Sequence, residues 1–529
     1  MFPTLLLALS AGGCLYGLAC AVYNLYFSPL RRVPGPWYVA VSDFWLWICL
    51  LRLRQCQIIH CLFEVYGPVV RIGPRRVAFN DVAGVKSVYC LHRLDKSDLY
   101  KMALECGQDH AFCMQERGPH AARRKTFAQH YTQHHVLNFL PQMQERVAAL
   151  ISILRTQNGP VDCLSMFHCL MTDVLLTTTI GAHENATEKW ASGVEDIVSV
   201  AMEDFPKRGM LRNSLPAWLW RLLPWLPIPR WRRFCAADEI AYKFVSDIVG
   251  DARAWMKVDD RKEKPLPLVE RLLQGNELSN RELIAETMGH MIAGADTTAA
   301  TLSFLCFTLT RRLDIVKKLR DELTGVGMGT PSMSALQKLP YLNAVLKEGE
   351  SSALRLYSAV PSLLERIVPH SYKGDEPFNL LDYSIPGGTI VAAQHWSLGR
   401  DPIVFPSPNK FIPERWLADD TSTPRAADNS SGPRAGDTIT LQTTNLTTLQ
   451  SHSFPFGFGS RICVGRHLAL MMMQLVVAGL VKGFNIEAPP GTDERSMEVR
   501  DMFAIFPAGL ECKVRVCTVS GDSQAYRVL

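Results

Sequence analysis

The stretch FGFGSRICVG, from Phe456 to Gly465, contains one cysteine in a glycine-rich loop and directly precedes a long apolar segment with helical spacing. The thiolate of Cys463 can provide the single axial protein ligand that a haem iron needs. Arg461 can form a forked, charge-assisted contact with a haem propionate, and Phe456 can cover the sulfur. Gly459 and Gly465 permit close approach of the backbone to a flat macrocycle. A buried structural cysteine would explain Cys463 in isolation, but the whole spaced set favours thiolate-ligated haem b.

These ten residues fill every fixed position of the pattern F-x-x-G-x-R-x-C-x-G, and in this the chain closely resembles the cytochrome P450 family. Other sequence signatures of that family occur elsewhere in the chain, in the expected order, between about Pro34 and Phe506. The resemblance implies the cytochrome P450 fold, mainly α-helical with a small β region, behind a single N-terminal transmembrane helix. It also implies that Cys463 is the axial ligand of the haem iron.

Composition limits the function classes that need considering. The 529 residues could form several domains, but the spread of one family's signatures favours a single large catalytic unit. A net charge of +5 gives no argument for nucleic-acid binding. The 15 cysteines include no CxxC pair and no Cys/His cluster with zinc spacing, so neither a disulfide framework nor a zinc site is expected. Most should be reduced thiols in the cytosol.

The amino terminus has the composition of a membrane anchor. Residues 1–30 contain no charged side chain, and Thr4–Phe27 is apolar over about the 20 residues that span a bilayer. Because the basic n-region of a cleaved signal peptide is absent, we expect a retained single-pass anchor. The resemblance to cytochrome P450 proteins implies that this membrane is that of the endoplasmic reticulum. Arginines and prolines at 31–36 form a stiff hinge, and the basic residues place the haem-thiolate catalytic domain, 37–529, in the cytosol.

Apolar spacing gives the expected secondary structure. Four long helices are predicted at Gln142–Arg155, Asp238–Lys257, Asn280–Arg312 and Arg466–Lys482, with short strands or turns at Val69–Phe79 and Leu380–Val391. The Pro- and Trp-rich segment Pro216–Pro229 is a second membrane-contacting surface or an ordinary loop between helices. Residues 418–452, rich in Thr, Ser, Asn, Asp, Gly and Pro, are expected to form a disordered surface insertion.

The predicted helix that begins at Asn280 contains AGADTT, Ala293–Thr298, inside an apolar run. A buried carboxylate is costly unless it has a partner, so Asp296 beside Thr297 suggests handling of water and protons in a cavity, with Gly294 leaving a groove. The stretch matches the cytochrome P450 pattern A/G-G-x-D/E-T-T/S, and the resemblance implies that Asp296 and Thr297 govern proton delivery at the haem. Alternatively, Thr297 bonds back to its own helix and Asp296 lies at a solvent edge.

Three further residues are candidates for binding the haem propionates. His120 and Arg124 lie four residues apart and therefore on one face of a helix. Cytochrome P450 proteins usually have W-x-x-x-R at this point, so His120 stands in place of the tryptophan. The surrounding run HAARRK could instead be a solvated basic face. Arg366 stands where the resemblance implies another propionate-binding arginine.

The segment YLNAVLKEGESSALRLY departs from the family pattern. The family expects ExxR, a buried pair that meets the arginine of a PERW-like segment, here Arg415. In this chain Glu348 and Arg355 are seven residues apart, as though residues 350–353 had been inserted. One extra helical turn would raise Arg355 by about 6 Å and break the ion pair, at a cost of about 3 to 5 kcal/mol. The four residues are a tolerated bulge, an inactivating insertion or a gene-model error.

Together these features predict a membrane-anchored haem-thiolate monooxygenase that transfers one oxygen atom of O2 to a lipophilic small molecule. No GxGxxG fingerprint after a strand and no flavin domain is evident, so electrons from NADPH must arrive through a separate protein. The resemblance implies NADPH-cytochrome P450 reductase. RRKTFAQHY and ERIVP are typical of filamentous-fungal members, many of which act in secondary metabolism. The alternatives are a reductase-independent isomerase or dehydratase, a haem carrier or sensor, and a catalytically impaired relative.

The resemblance alone indicates where substrate would bind. The implied contacts are the loop Cys106–Gln115, the groove beside Ala293, the segment Ser358–Leu363 and the turn Phe503–Phe506. These segments are mostly apolar, which fits a lipophilic substrate.

Overall fold

The structure is a computed structural model, and it describes residues 2–104, 107–182, 185–256, 265–275, 277–326, 332–350, 355–370, 377–417 and 446–519. Most of these residues are helical. The α-helices are α1 Phe2–Val22, α2 Trp37–Val41, α3 Phe44–Leu51, α4 Gln55–Tyr66, α5 Val82–Val85, α6 Arg117–Phe127, α7 Gln133–Leu137, α8 Leu140–Thr156, α9 Cys163–Leu175, α10 Ala186–Ala191, α11 Ile197–Ser214, α12 Ala217–Leu222, α13 Pro229–Cys235, α14 Ala237–Met256, α15 Leu268–Gly275, α16 Asn280–Arg311, α17 Leu313–Thr324, α18 Met333–Leu336, α19 Pro340–Glu350, α20 His395–Leu398, α21 Leu446–His452 and α22 Arg466–Gly483.

The four predicted long helices correspond to α8, α14, α16 and α22, and each begins and ends within two residues of the predicted bounds. The longest, α16, begins at a capping box in which Ser279 Oγ accepts from Glu282 N while the Glu282 carboxylate accepts from Ser279 N. Its apolar side chains are buried against α9, α14 and α22. The AGADTT stretch is therefore held in the interior of the molecule.

Small sheets make up the β region. The strands are β1 Val69–Gly73, β2 Arg76–Phe79, β3 Asp95–Lys96, β4 Pro160–Asp162, β5 Leu363–Ile367, β6 Phe378–Leu380, β7 Tyr383–Ile385, β8 Ile390–Gln394, β9 Phe484–Glu487, β10 Val499–Met502, β11 Ala504–Pro507 and β12 Lys513–Thr518. Five form a mixed sheet in the order β1-β2-β8-β5-β3, in which only β2 and β8 run parallel among the described strands. At its edge Lys96 is paired with Arg366. The predicted mainly helical fold with a small β region is confirmed.

The amino-terminal helix α1 is followed by a π-helical turn at Tyr23–Phe27, and its described side chains from Ser10 onward are mostly exposed. In the described part of the chain, two helical segments are long and apolar enough to cross a membrane, Cys163–Ile180 and Asn280–Arg311. Both are largely buried inside the fold, so they are core helices. The N-terminal transmembrane anchor at residues 1–30 stays a prediction.

The Pro- and Trp-rich segment Pro216–Pro229 is more regular than an ordinary loop. It contains α12, followed by a 3-10 turn at Leu223–Trp225. Trp218 and Trp225 on this segment are exposed to solvent. The segment therefore presents large apolar side chains on the surface.

The predicted disordered insertion at 418–452 extends too far at its carboxyl end. Leu446–His452 form α21, and Leu449 is buried in a small apolar cluster with Phe405 and Trp416. Burial of this leucine explains why the composition-based boundary is wrong. The remainder of the predicted insertion, 418–445, lies outside the described residues.

Candidate functional site

Backbone contacts hold Cys463 in the loop that leads into α22. Its amide N donates to Phe456 O at 2.7 Å, which closes the loop. Gly459 has a φ of 62°, and a side chain at this position would collide with the carbonyl oxygen of Tyr89. Gly465 is the N-cap of α22 and has a φ of −76°, an angle that residues other than glycine also adopt. Of the two glycines, only Gly459 has a backbone angle and surroundings that exclude a side chain.

The Cys463 thiol and the Phe456 ring line a cavity of about 300 Å³. Burial raises the pKa of the thiol, whereas hydrogen bonds from the backbone N–H groups of Gly465 and Arg466 and the charge of Arg124 act in the opposite direction. These amides belong to the start of α22, where the helix dipole favours an anion. Amide donors to a sulfur ligand also tune a metal that it binds. The loop therefore has the features of a thiolate-ligand site.

Helix α16 contributes Ala293, Gly294 and Thr297 to the lining of the same cavity. Thr297 Oγ1 donates to Ala293 O at 2.8 Å, so the hydroxyl bonds back to its own helix while remaining at the cavity wall. Gly294 lies so close to Leu175 of α9 that a side chain at this position would collide with the leucine. Gly294 thus permits the close packing of α9 and α16 beside the cavity.

Asp296 is not among the residues that line this cavity. Its Oδ1 lies 2.9 Å from Nδ1 of His168 on α9, and its side chain is 21% exposed. The alternative in which Thr297 bonds back to its own helix is confirmed, and the partly exposed Asp296 lies outside the cavity, as that alternative expects, although it has a histidine partner. Asp296 and Thr297 are neighbours in the chain but have different surroundings.

Four basic side chains line the cavity, Lys96, Arg124, Arg366 and Arg461. In the described part of the chain, none of the four forms a salt bridge with a carboxylate. Their charged groups donate to backbone carbonyl oxygens instead, as in the contact of Arg124 Nη1 with Ile462 O at 2.8 Å. Partly buried cations without an anion are unfavourable. A thiol together with unpaired cations in one cavity fits haem, whose iron takes a thiolate and whose propionates are carboxylates.

His120 is buried next to these cations. Burial, followed by the charges of Arg461, Lys96 and Arg124, lowers its pKa to about 3. His120 is therefore neutral at physiological pH and can act as a hydrogen-bond donor without adding charge. It shares the cavity with Arg124, as expected from their spacing on one face of α6.

Lys96 is a site residue that sequence reasoning missed. Its Nζ donates to Phe112 O and lies 4.2 Å from the centroid of the Tyr100 ring. Burial and the charge of Arg366 lower the pKa of Lys96 well below its usual value. In the sequence Lys96 is one basic residue among many. Its pairing with Arg366 across β3 and β5 becomes visible only with the sheet.

The predicted pairing of Glu348 with Arg355 and Arg415 is confirmed, despite the seven-residue spacing that put the Glu348–Arg355 contact in question. Glu348 Oε1 lies 3.3 Å from Arg355 Nη2 and 3.0 Å from Arg415 Nε, and Glu348 Oε2 accepts from Trp416 Nε1. The expected displacement assumed a continuous helix, whereas Arg355 lies in a turn beyond the end of α19. Residues 351–353 of the suggested insertion lie outside the described residues.

Most of the implied substrate-contacting segments reach the cavity. Their lining members are His110, Ala111, Phe112, Ala293, Ala359, Val360 and Phe503, while Cys106 lies outside the described residues. A carboxylate that we did not expect also lines the cavity, that of the fully buried Glu286. It accepts from Arg123 Nη1 and from Ala111 N, each at 3.1 Å. Besides the four cations, the cavity lining thus includes one buried carboxylate, which is held by hydrogen bonds within the protein.

The family model for cytochrome P450 matches residues 39–514 of the chain. The chain belongs to the cytochrome P450 family. The protein is thus a cytochrome P450 monooxygenase, an oxidoreductase. The family implies haem iron, O2, a small-molecule substrate and a redox partner.

Several curated fungal cytochrome P450 proteins are similar to this one over most of its length. Cytochrome P450 monooxygenase sdnE of Sordaria araneosa is 28% identical, with 96% of each chain covered. Cytochrome P450 monooxygenase stcB of Emericella nidulans is 27% identical over 87% of this chain and 82% of its own. Tryprostatin B 6-hydroxylase of Aspergillus fumigatus is also 27% identical, over 89% of this chain and 78% of its own.

Proposed function

We propose that this cytochrome P450 is a membrane-anchored haem-thiolate monooxygenase. Its substrate is a lipophilic small molecule, an intermediate of fungal secondary metabolism, and a separate reductase supplies electrons from NADPH. The observation that carries the proposal is the single cavity that contains the Cys463 thiol, four cations without carboxylate partners, and the Ala293–Thr297 face of α16. When bound, haem b supplies the iron at which O2 is activated.

In this proposal the thiolate of Cys463, held by the Phe456 carbonyl and by the first turn of α22, would bind the haem iron. The propionates bind among the cavity cations and His120. Arg124 and Arg461 now donate to backbone carbonyl oxygens, which are neutral acceptors. Carboxylate oxygens are stronger acceptors for guanidinium groups than neutral carbonyls are. The cationic edge of the cavity therefore selects a doubly acidic cofactor and orients it.

Thr297 and Asp296 provide the proton-handling part of the site. The Thr297 hydroxyl lies at the cavity wall and is oriented by its bond to Ala293 O. It can pass a proton or hold a water beside the haem, whereas Asp296 lies behind it in contact with His168. A hydroxyl can donate and accept hydrogen bonds at once, which suits this relay position.

The substrate class follows from the lining of the cavity. Phe112, Phe127, Ala359, Val360 and Phe503 present apolar surface, which stabilises a lipophilic ligand by excluding water. One similar fungal protein is named as a hydroxylase of tryprostatin B, which supports an organic small molecule as the substrate here. Secondary metabolism is proposed on the same similarity to fungal monooxygenases.

The surface features support attachment to the cytosolic face of the endoplasmic reticulum. Helix α1 is apolar, with exposed Leu15 and Leu18, and basic residues follow it. Trp37, Trp218 and Trp225 are also exposed, as expected of side chains that rest in a membrane interface. NADPH-cytochrome P450 reductase would then meet the catalytic domain on the same membrane.

The carbon monoxide difference spectrum of the reduced full-length protein tests the proposal. We expect the strongly red-shifted band of a thiolate-ligated ferrous complex, and we expect Cys463→Ser to lose that band. Cys512→Ser is the matched control, because Cys512 is a buried thiol outside the cavity lining and should leave the band unchanged. Absence of the band from the wild type would contradict the proposal. Product formation without NADPH and reductase would instead indicate an isomerase or dehydratase.

A further inference from the structure

The carboxyl group of Asp296 has a histidine partner that neither the sequence patterns nor the family assignment supplies. His168 lies on α9, is buried, and places Nδ1 2.9 Å from Asp296 Oδ1. Its second ring nitrogen, Nε2, lies 3.0 Å from the carbonyl oxygen of Ser199 on α11. The imidazole is therefore fixed at both nitrogens between two neighbouring helices.

These two contacts determine where the ring protons are. A backbone carbonyl oxygen can only accept a hydrogen bond, so Nε2 of His168 carries a hydrogen that points at Ser199 O. Nδ1 then either donates to an Asp296 carboxylate or accepts from a protonated Asp296 carboxyl. In both cases one proton lies between Nδ1 and Oδ1. The pair is thus a store for a single exchangeable proton.

Charged side chains on α11 act electrostatically on this pair. Lys207 Nζ pairs with Glu203 Oε1 at 2.7 Å, and both side chains are partly exposed. Their charges act on the buried pair, because Lys207 lowers the pKa of Asp296 while Glu203 raises the pKa of His168. Asp204, the next residue on α11, is bound by Arg230 of α13 at 2.7 Å.

The direction of the pKa shifts agrees with a shared proton. Burial opposes protonation of His168, but the hydrogen bond and charge of Asp296 outweigh it and raise the pKa of the histidine. Burial raises the pKa of Asp296 more than His168 and Lys207 lower it. Both partners therefore hold a proton to a higher pH than the free side chains would.

We infer that His168 is a positioning residue for proton delivery, which holds the Asp296 carboxyl outside the cavity and reloads it with a proton. This rests on the proposed monooxygenase function. In the step, the proton shared with Nδ1 passes through Oδ1 of Asp296 to a water molecule, which leaves the Asp296 carboxylate and a neutral His168 ring that keeps its hydrogen on Nε2. A proton from solvent water then restores the pair. Each transfer moves one proton and no electrons.

The test uses full-length protein with NADPH-cytochrome P450 reductase and no added substrate, and it follows NADPH and O2 consumption over a pH range of about 6 to 9. In the wild type, NADPH oxidation should fall as pH rises through the apparent pKa of the pair, because the stored proton is lost. His168→Leu removes the store and should slow NADPH oxidation by at least about tenfold and abolish this pH dependence.

His168→Asn separates positioning from proton storage. The asparagine amide can still donate to Asp296 from the place of Nδ1, but it does not titrate. We expect His168→Asn to oxidise NADPH faster than His168→Leu but more slowly than the wild type, at a rate that does not change with pH. His134→Asn, at an exposed position on α7, is the matched control and should behave as the wild type. Wild-type rates and pH profiles in both His168 variants would overturn the inference.

Two further measurements distinguish failure of this inference from failure of the proposed function. A wild type without the red-shifted carbon monoxide band, or without NADPH oxidation, would contradict the monooxygenase proposal itself. If substitution of His168 abolishes that band by misfolding, 15N NMR of histidine-labelled wild type and Asp296→Asn decides the question. The inference requires one histidine that stays protonated at Nε2 and whose Nδ1 titration changes in Asp296→Asn. A histidine titration identical in the two proteins would overturn it.

Discussion

Arg355 Nη2 lies 3.3 Å from Glu348 Oε1, although the two residues are seven apart in the chain. Both side chains are fully buried. Burial lowers the pKa of Arg355 to about 10 even with the carboxylate beside it. The guanidinium also donates to Gly399 O at 2.9 Å. Because the end of α19 separates the two residues, tertiary contacts and not helical spacing keep them together.

Glu348→Gln should destabilise the protein strongly, because it leaves two buried guanidinium groups, those of Arg355 and Arg415, without their shared anion. Breaking a buried ion pair costs about 3 to 5 kcal/mol. Urea denaturation monitored by circular dichroism measures this change. Glu511→Gln is the control, because its partner Lys513 is exposed and a solvent-screened surface pair contributes little to stability. Equal decreases in the free energy of unfolding in the two variants would contradict the role of Glu348 as the shared anion of two buried arginines.

The parts of the fold that could be predicted from sequence are those with local causes. Helical spacing of apolar residues located α8, α14, α16 and α22, since burial of one face selects the helix period. The Cys463 loop could be located because all of its pattern residues lie within ten consecutive positions of the sequence. The boundary at Leu446 was missed, because composition does not reveal that Leu449 is buried by a distant segment.

Contacts between distant segments could not be derived in the same way. The partnership of Lys96 with Arg366 depends on the register of β3 against β5, and that of Asp296 with His168 depends on the packing of α9 against α16. Sequence spacing could not decide whether Arg355 reaches Glu348, because Arg355 lies in a turn beyond the end of α19. In each case the side chain's role is set by tertiary structure and not by its neighbours in the chain.

Lys96→Met should weaken retention of haem without unfolding the protein. Lys96 is one of four cations at the cavity that lack a carboxylate partner, and methionine keeps the apolar stem while removing the charge. Loss of one charge-assisted hydrogen bond corresponds to about 1.5 to 3 kcal/mol, so haem should dissociate at least about tenfold faster. Transfer of haem to an excess of apomyoglobin measures the rate. Lys101→Met, at an exposed salt bridge with Asp98, should leave it unchanged.

Thr297→Ala should increase the share of NADPH that is converted to hydrogen peroxide. The hydroxyl at the cavity wall is lost, so protons are delivered less effectively while the thiolate loop is untouched. Peroxide formed per NADPH consumed measures the change. Thr310→Ala, near the carboxyl end of α16 and outside the cavity lining, is the control. Unchanged peroxide yield in Thr297→Ala would favour a haem carrier or sensor.

Asp501→Asn should stabilise the protein at neutral pH. Burial raises the pKa of Asp501 to about 6, and its carboxylate accepts from the Cys56 N–H at 3.3 Å. Because this pKa is higher in the folded than in the unfolded chain, stability falls as pH rises from about 4 to about 6 and then stays level. The neutral amide avoids that loss, which amounts to about 3 kcal/mol.

Thermal denaturation of wild type and Asp501→Asn at a series of pH values measures the effect. The two should have similar stability near pH 4, where Asp501 is protonated in the folded protein, and should diverge as pH rises toward about 6. Glu487→Gln, an exposed carboxylate on β9, is the control for simple loss of negative charge and should produce no such divergence. A constant difference between wild type and Asp501→Asn across the pH range would show that the amide acts through packing and not through the ionisation of Asp501.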